Sequence, residues 1–257
     1  MNIVNSDLQK LQCHAYASPI EASRALIARM NTQALKKTNG ETYCVALSGG
    51  STPDVLFRVW ADQFSNSTPW SKFQFFWVDE RCVPPSDEAS NYGRFKLLLS
   101  DYVPQLEEGV NVFRIIGEAS PEREALRYSK LVESRVPQIK VKDLNIPQFD
   151  MVLLGIGNEG HTSSIFPGQE HLLSVSSSYL PSIHPVTGVR RVAMTGHPMM
   201  KAKQTVFLVM GSAKAEILDR IINLKFDCPA RRVMSQAFSP ELIGDEKAME
   251  RIRISIS

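Results

Sequence analysis

The sequence predicts an α/β protein whose mostly parallel β-sheet is covered by helices on both faces. Short apolar runs alternate with stretches of helical periodicity along the 257-residue chain. The apolar runs lack the alternation of a half-exposed strand, so both of their faces should be buried. Parallel sheets of this kind bind ligands beyond the carboxyl ends of their strands, and the motifs described below all follow predicted strands.

The elements are predicted in a regular order. Residues 19–38 carry apolar side chains on one helical face, and residues 43–47 form a buried strand. After this strand, Thr52 is expected to cap a helix in which Pro53 takes the first position. Further helices are predicted over residues 91–99, 121–136 and 213–224, and further strands over residues 73–78, 112–116, 149–154, 189–195 and 205–209. The loops 83–89 and 169–188 are polar and rich in Ser and Pro, as substrate-covering segments can be.

The composition excludes several classes of protein. Hydrophobic residues make up 43% and charged residues 22%, which is typical of a globular protein and not of a disordered chain. The net charge of +2 leaves no excess of cations for a nucleic-acid or anionic membrane surface. No apolar run is long enough for a transmembrane helix, and residues 1–12 lack a signal-peptide pattern. The four cysteines are widely spaced, and we expect them to be free thiols in a cytoplasmic protein. We also expect a single domain over residues 1–257.

The first motif is Leu-Ser-Gly-Gly-Ser-Thr-Pro at residues 47–53. The two glycines would let the backbone approach an anion closely, while hydroxyls and free N–H groups at the following helix N-terminus bind phosphate. The candidate phosphate-binding residues are Ser48, Gly49, Gly50, Ser51 and Thr52. Taken alone, the motif is equally consistent with an ordinary tight turn and helix cap.

The second motif is Asp79-Glu80-Arg81, which ends the predicted strand 73–78. The planar guanidinium of Arg81 could clamp a phosphate, and Asp79 could hold sugar hydroxyls or orient a catalytic group. The alternative is an ion-paired turn at the surface.

The third motif spans residues 154–162 and contains a literal G-x-G-x-x-G. A dinucleotide site is rejected because Pro167-Gly168 ends any helix within two turns and no acidic residue follows at the required distance. The glycines instead expose Glu159 and His161 on a tight loop. An imidazole with a pKa near ~6.5 is suited to accept a proton from water, although a loop histidine bonded to the backbone is an open alternative.

The fourth motif, at residues 211–215, places Lys214 in the first turn of a helix, where its charge does not complement the helix dipole. A ligand role is therefore plausible, and a solvated lysine is the alternative. Arg190 and Arg191 open a strand, where alternation sends one side chain to each face. The spacing alone leaves open which of the two faces the pocket.

Other catalytic motifs are missing from the sequence. The five histidines form no H-E-x-x-H or H-x-H pattern, and there is no G-x-S-x-G nucleophile elbow. We therefore expect chemistry by activated water or a proton shuttle, with no metal and no cofactor.

The ordered set of motifs resembles the 6-phosphogluconolactonase family. The matching segments are residues 47–53, 79–81, Ser90-Asn91 with Gly93, and residues 155–167, 191–195 and 211–215. The resemblance implies a three-layer α/β/α fold with a modified Rossmann-like sheet, related to glucosamine-6-phosphate deaminase and ribose-5-phosphate isomerase. It also implies cytosolic hydrolysis of 6-phospho-D-glucono-1,5-lactone in the oxidative pentose phosphate pathway. In place of the segment that begins at His161, a deaminase typically has the sequence His-Ile-Ala-Phe-Asn-Glu-Pro. The catalytic Glu of that sequence has no counterpart in this chain.

Two positions depart from the family pattern. The family usually has Asp before Gly-His-Thr, where this chain has Glu159. The C-terminal segment usually carries a Trp before Asp-x-x-Ala, whereas Ile243-Gly244 precedes Asp245 here. The carboxylate is thus kept on a longer arm, and we expect the end of the chain to pack differently.

These inferences combine into one expected mechanism. The phosphate is held by the loop at residues 48–52 together with Arg81, Arg191 and Lys214. His161 takes a proton from the water that attacks C1, with Asp79 or Glu159 orienting the imidazole.

Loop N–H groups near Gly157 and Gly160 are expected to stabilise the oxyanion. The expected partner is a small sugar-phosphate lactone, bound by a monomer or weak homodimer. The alternatives are a glucosamine-6-phosphate isomerase or deaminase and a non-catalytic sugar-phosphate sensor.

Overall fold

The computed structural model describes residues 6–38 and 40–252. The strands are β1 (Gln12–Tyr16), β2 (Tyr43–Leu47), β3 (Phe73–Trp77), β4 (Asp79–Arg81), β5 (Gln138–Val141), β6 (Leu144–Pro147), β7 (Met151–Leu154), β8 (Tyr179–Ile183), β9 (Arg190–Met194), β10 (Thr205–Val209) and β11 (Pro240–Asp245). The helices are α1 (Pro19–Leu35), α2 (Ser51–Phe64), α3 (Asn91–Leu98), α4 (Pro121–Arg135), α5 (Gly196–Lys201), α6 (Ala215–Ile222), α7 (Pro229–Gln236) and α8 (Glu246–Met249). Residues 1–12, in which the sequence shows no signal-peptide pattern, lie partly outside the described residues.

The central sheet has six strands in the order β1-β11-β10-β7-β2-β3, and all neighbouring strands are parallel. Every residue of β2, β7, β10 and β11 is buried, so helices cover both faces as the sequence predicts. Helices α1 and α2 pack together, and so do α5 and α7. In the described part of the chain, no helix is long and apolar enough to cross a bilayer.

A second, antiparallel sheet of three strands in the order β4-β9-β8 continues from the carboxyl end of β3. The residue between β3 and β4 joins the two sheets, because the Val78 N–H donates to the Leu47 carbonyl at 2.9 Å while its own carbonyl accepts the Met194 N–H at 2.6 Å. This sheet therefore stands at the edge where ligands bind in parallel sheets. Strands β5 and β6 form a separate hairpin.

The structure corrects several predicted elements. Residues 112–116 form no strand. Only Val112 among them makes isolated bridges, to Phe75 and to Glu108, and its N–H donates into a turn, to the Glu107 carbonyl. Helix α2 begins at Ser51 after Gly50, so the cap expected at Thr52 is wrong. The loop expected over residues 169–188 contains strand β8, and α6 begins two residues later than predicted, after a 3₁₀ turn.

Candidate active site

Four loops meet at the carboxyl edge of the sheet. They follow β10, β7, β2 and β3, which are adjacent strands, and each carries one of the four sequence motifs. Side-chain contacts join the loops after β10, β7 and β3, and a backbone hydrogen bond from the Val78 N–H to the Leu47 carbonyl ties the end of β2 to the end of β3. The sheet order thus brings together residues that are as far apart in the sequence as Ser48 and Lys214.

The glycine loop after β2 depends on its two glycines in different ways. Gly50 precedes α2 with a φ of 107°, a conformation that residues with a side chain rarely adopt. A Cβ on Gly49 would lie 1.8 Å from Oδ1 of Asn91, so only glycine leaves room for that side chain. Because Gly50 offers no capping side chain, the first N–H groups of α2 remain available to an anion.

The three residues after Val78 have separate tasks. The Asp79 carboxylate accepts a hydrogen bond from Ser164 Oγ and lies 3.4 Å from Asn91 Nδ2, which also donates to the Asp79 carbonyl at 2.9 Å. Arg191 Nη1 is 3.8 Å from the same carboxylate. Asp79 therefore ties the end of β3 to β9 and to the loop after β7 that carries His161, called the histidine loop below.

Glu80 is a buried structural acid. Its carboxylate accepts the backbone N–H groups of Arg81, Asn91 and Tyr92 at 2.7 to 2.8 Å and the Ser90 hydroxyl at 3.0 Å. Burial raises the pKa of Glu80 to about 7, against the opposing effect of these hydrogen bonds. Glu80 thereby fixes the N-terminus of α3, and with it the side chain that covers Gly49.

Arg81 and Arg191 lie directly opposite each other in the β4–β9 ladder. The Nε of each is buried without a hydrogen-bond partner among the described residues, although Arg81 donates to the Ala89 carbonyl and Arg191 Nη1 donates to Ser164 Oγ at 3.1 Å. Burial lowers the pKa of Arg191, and the charge of Arg81 adds to this effect. Arg190 instead pairs with Glu122 on α4, so Arg191 is the residue of the pair that faces the site.

His161 stands beside Glu159 on the loop after β7. Glu159 Oε1 lies 2.9 Å from His161 Nδ1, close but not aligned as a hydrogen bond. Burial lowers the pKa of His161, while the charge of Glu159 opposes that shift. A Cβ on Gly157 would lie 2.0 Å from Nδ1, so the pair forms only over a glycine.

The N–H groups of Gly157 and Gly160 are engaged within this loop. Gly157 donates to the His161 carbonyl and Gly160 donates to the Gly157 carbonyl, each at 2.9 Å. The donors expected to stabilise an oxyanion are therefore not free in this structure. Gly160 has a φ of 89°, and a Cβ there would lie 2.6 Å from Cys228 Sγ. Both glycines shape the loop, and both use their own N–H groups within it.

Ser163 and Ser164, which follow His161 and Thr162, form a turn that no motif of the sequence predicts. Ser163 and Ser164 have φ values of 49° and 56°, and the Ile165 N–H donates to the Thr162 carbonyl at 2.8 Å. Left-handed conformations are costly for serine and need support from the surroundings. Ser163 Oγ donates to the Val78 carbonyl at 2.8 Å, and Ser164 bonds Asp79 and Arg191. No sequence signal marks this turn, because serine is not the residue that left-handed turns favour.

Lys214 braces the histidine loop. Its Nζ donates to the Ile156 carbonyl at 2.8 Å and to Asn158 Oδ1 at 2.9 Å, and burial lowers its pKa. Two of its three donors are thus engaged by the protein. The loop that carries Lys214 is itself held by Asp245, which accepts the Gly211 N–H at 2.8 Å and caps α8.

A cavity away from this edge carries little chemistry. A cavity of about 470 Å³ near the amino ends of β2 and β3 is lined by residues such as Thr42, Trp70, Gln74 and Asn111, without a titratable side chain. No group of three or more His, Cys, Asp or Glu residues is placed to hold a metal ion in residues 6–38 and 40–252.

Comparison with known proteins agrees with the motifs. Residues 17–242 match the family described as glucosamine-6-phosphate isomerases/6-phosphogluconolactonase. The 6-phosphogluconolactonase of Treponema pallidum (strain Nichols) is 41% identical over 179 residues, which cover 69% of this chain and 71% of the relative. The Synechocystis sp. 6-phosphogluconolactonase is 31% identical over 239 residues, covering 91% of this chain and 94% of the relative.

Solved structures show the same fold. The structure of 6-phosphogluconolactonase from Trypanosoma cruzi matches with a TM-score of 0.82 and 26% identity, covering 95% of this chain and 98% of that one. A monomeric glucosamine-6-phosphate deaminase matches with a TM-score of 0.75 at 18% identity, which shows a shared fold. The motif resemblance is thereby confirmed, and the chain belongs to the glucosamine-6-phosphate isomerase/6-phosphogluconolactonase family.

Proposed function

We propose that this protein is a hydrolase that converts 6-phospho-D-glucono-1,5-lactone to 6-phospho-D-gluconate. The observation that carries the proposal is the meeting of an imidazole–carboxylate pair, His161 and Glu159, with two opposed arginines at one sheet edge. The names of the most similar relatives support the same substrate. We assign the reaction to the oxidative pentose phosphate pathway in the cytoplasm.

The phosphate of the substrate lies between the two arginines and the glycine loop. Arg81 and Arg191 each hold a buried Nε without a partner in the described chain, which suits a dianion that can accept several hydrogen bonds. Ser48 to Thr52 add hydroxyls and the N–H groups at the start of α2. Lys214 contributes its remaining donor and its charge from the other side of the histidine loop.

His161 is the general base in this proposal. Its lowered pKa keeps the imidazole neutral at neutral pH. Glu159 beside Nδ1 favours a proton on that nitrogen, which leaves Nε2 to take a proton from water. The water attacks C1 to give a tetrahedral intermediate. The bond between C1 and the ring oxygen then breaks, and the protonated His161 gives its proton to that oxygen, which becomes a hydroxyl of the product. Binding energy from the remote phosphate holds C1 near the imidazole, and no metal ion takes part.

The test is hydrolysis of 6-phospho-D-glucono-1,5-lactone, followed by proton release and corrected for the spontaneous rate, with and without a chelator. We expect acceleration that the chelator leaves unchanged. Loss of activity with chelator would overturn the proposed water activation by His161 alone. Release of ammonia from glucosamine 6-phosphate without lactone hydrolysis would instead identify an isomerase or deaminase.

A further inference from the structure

One face of the antiparallel sheet looks onto the site. Ser182 and Arg191 are cross-strand partners, and both bond Ser164: Ser182 Oγ donates to its carbonyl at 2.6 Å and Arg191 donates to its hydroxyl at 3.1 Å. Side chains alternate along a strand, so the second residue after Ser182 shares this face. That residue is His184, whose N–H still donates across the hairpin, to the Val189 carbonyl at 3.0 Å.

The His184 ring packs on the same aromatic side chain as the His161 ring. The centroid of the fully buried Phe166 ring lies 4.6 Å from that of His161 and 4.8 Å from that of His184. The Arg191 guanidinium lies over the same ring at 5.5 Å. Phe166 therefore holds a second imidazole at the wall of the site.

The tautomer of His184 is set by the hairpin turn. Its Nδ1 accepts the N–H groups of Val186 and Thr187, each at 3.2 Å. A ring nitrogen that accepts hydrogen bonds carries no proton, so the neutral ring has its proton on Nε2. No described residue accepts a hydrogen bond from Nε2, and the side chain is only partly buried. The hairpin thus fixes one end of the ring and leaves a donor at the other.

We propose that His184 is a substrate-binding residue, whose Nε2–H donates a hydrogen bond to an oxygen of the bound sugar-phosphate lactone. This inference rests on the proposed function. With His184 included, the substrate site extends beyond the four loops of the parallel sheet onto the β8–β9 hairpin. His184 acts by holding the substrate, and His161 carries out the proton transfer.

Two substitutions separate this role from a purely structural one. The amide of His184→Asn places an oxygen near the position of Nδ1, so it can still accept the turn N–H groups but lacks the Nε2 donor. His184→Gln places an amide nitrogen near the position of Nε2 but loses the acceptor for the turn. Val186→Ala is the control in the same turn, because Val186 is 87% exposed.

The variants are compared by kcat and KM for 6-phospho-D-glucono-1,5-lactone and by the Kd of 6-phosphogluconate from calorimetry. We expect His184→Asn to raise KM and Kd by roughly three- to tenfold, the value of one neutral hydrogen bond. His184→Gln should stay closer to the wild type, and Val186→Ala should match it. An active wild type with the opposite order, or with an unchanged His184→Asn variant, overturns the assignment. A wild type that does not accelerate hydrolysis overturns the proposed function itself.

Discussion

Glu159 Oε1 lies 2.9 Å from His161 Nδ1, and both side chains occupy the space that a side chain at Gly157 would fill. The longer arm of Glu159, where relatives with the family pattern would carry Asp, therefore still reaches the imidazole. This relationship settles which carboxylate stands next to the histidine, because the Asp79 carboxylate is bonded to Ser164.

Removal of the imidazole should abolish most of the catalysis. We expect His161→Ala to lower kcat by about 10² to 10⁴ with KM nearly unchanged, because general-base catalysis contributes that much and the phosphate contacts remain. The measurement is steady-state lactone hydrolysis after subtraction of the spontaneous rate. His171→Ala is the control, since His171 is exposed. Full turnover by His161→Ala would exclude the proposed role.

The pH profile should report the environment of His161. Because burial lowers its pKa, kcat/KM should rise with pH through a midpoint below the ordinary imidazole value of about 6.5 and be level at neutral pH. The charge of Glu159 raises that pKa, so Glu159→Gln should move the midpoint to lower pH. The exposed Glu216→Gln serves as the control. A midpoint that moves upward in Glu159→Gln would contradict this assignment.

The absence of a side chain at Gly157 should be essential for activity, whereas the absence of one at Gly155 should not. A Cβ at Gly157 would lie 2.0 Å from His161 Nδ1, whereas one at Gly155 would meet nothing within 4 Å. Gly157→Ala should therefore displace the imidazole and reduce kcat by at least about tenfold, since small misplacements of reacting groups are costly. Gly155→Ala should keep most of its activity. Equal kinetics in the two variants would show that the His161 position is not critical.

Replacement of Arg190 and replacement of Arg191 should have different effects on KM. Arg191→Ala should raise KM by roughly 10- to 100-fold, because hydrogen bonds from a charged group to phosphate are worth about 1.5 to 3 kcal/mol. Arg190→Ala should change KM little, since Arg190 pairs with Glu122 on the far side of the strand. Steady-state kinetics with both variants provide the comparison. A larger effect of Arg190→Ala would reverse the assignment of faces.

Glu80 should matter for stability. Each carboxylate oxygen accepts a backbone N–H, so the amide nitrogen of Glu80→Gln would face a donor on either side. We expect a loss of about 2 kcal/mol in the free energy of unfolding, the usual cost of a buried unsatisfied group. Urea unfolding measures it, with the exposed Glu88→Gln as the control. Unchanged stability would show that the N-terminus of α3 does not need this acceptor.

The parts of the fold that could be predicted are those with a local signal. Strands β2 and β10 have the predicted ends, because five successive buried residues leave no alternative to a strand covered on both faces. Strand β1 has only partly buried and exposed positions and no apolar run, so it forms through its ladder with β11. Strand β8 forms in a similar way, against β9, in a segment that has the composition of a loop.

The sequence by itself determined the class of fold, the four motifs and their common edge, since glycine turns, apolar runs and their order are local properties. The tertiary structure decided how the side chains pair. Arg191 faces the site because of its register with β4, and Asp79 is turned to Ser164 by a left-handed turn that serine does not favour. The place of His184 likewise follows from a hairpin packed on Phe166. Such contacts join residues far apart in the chain, so no local pattern encodes them.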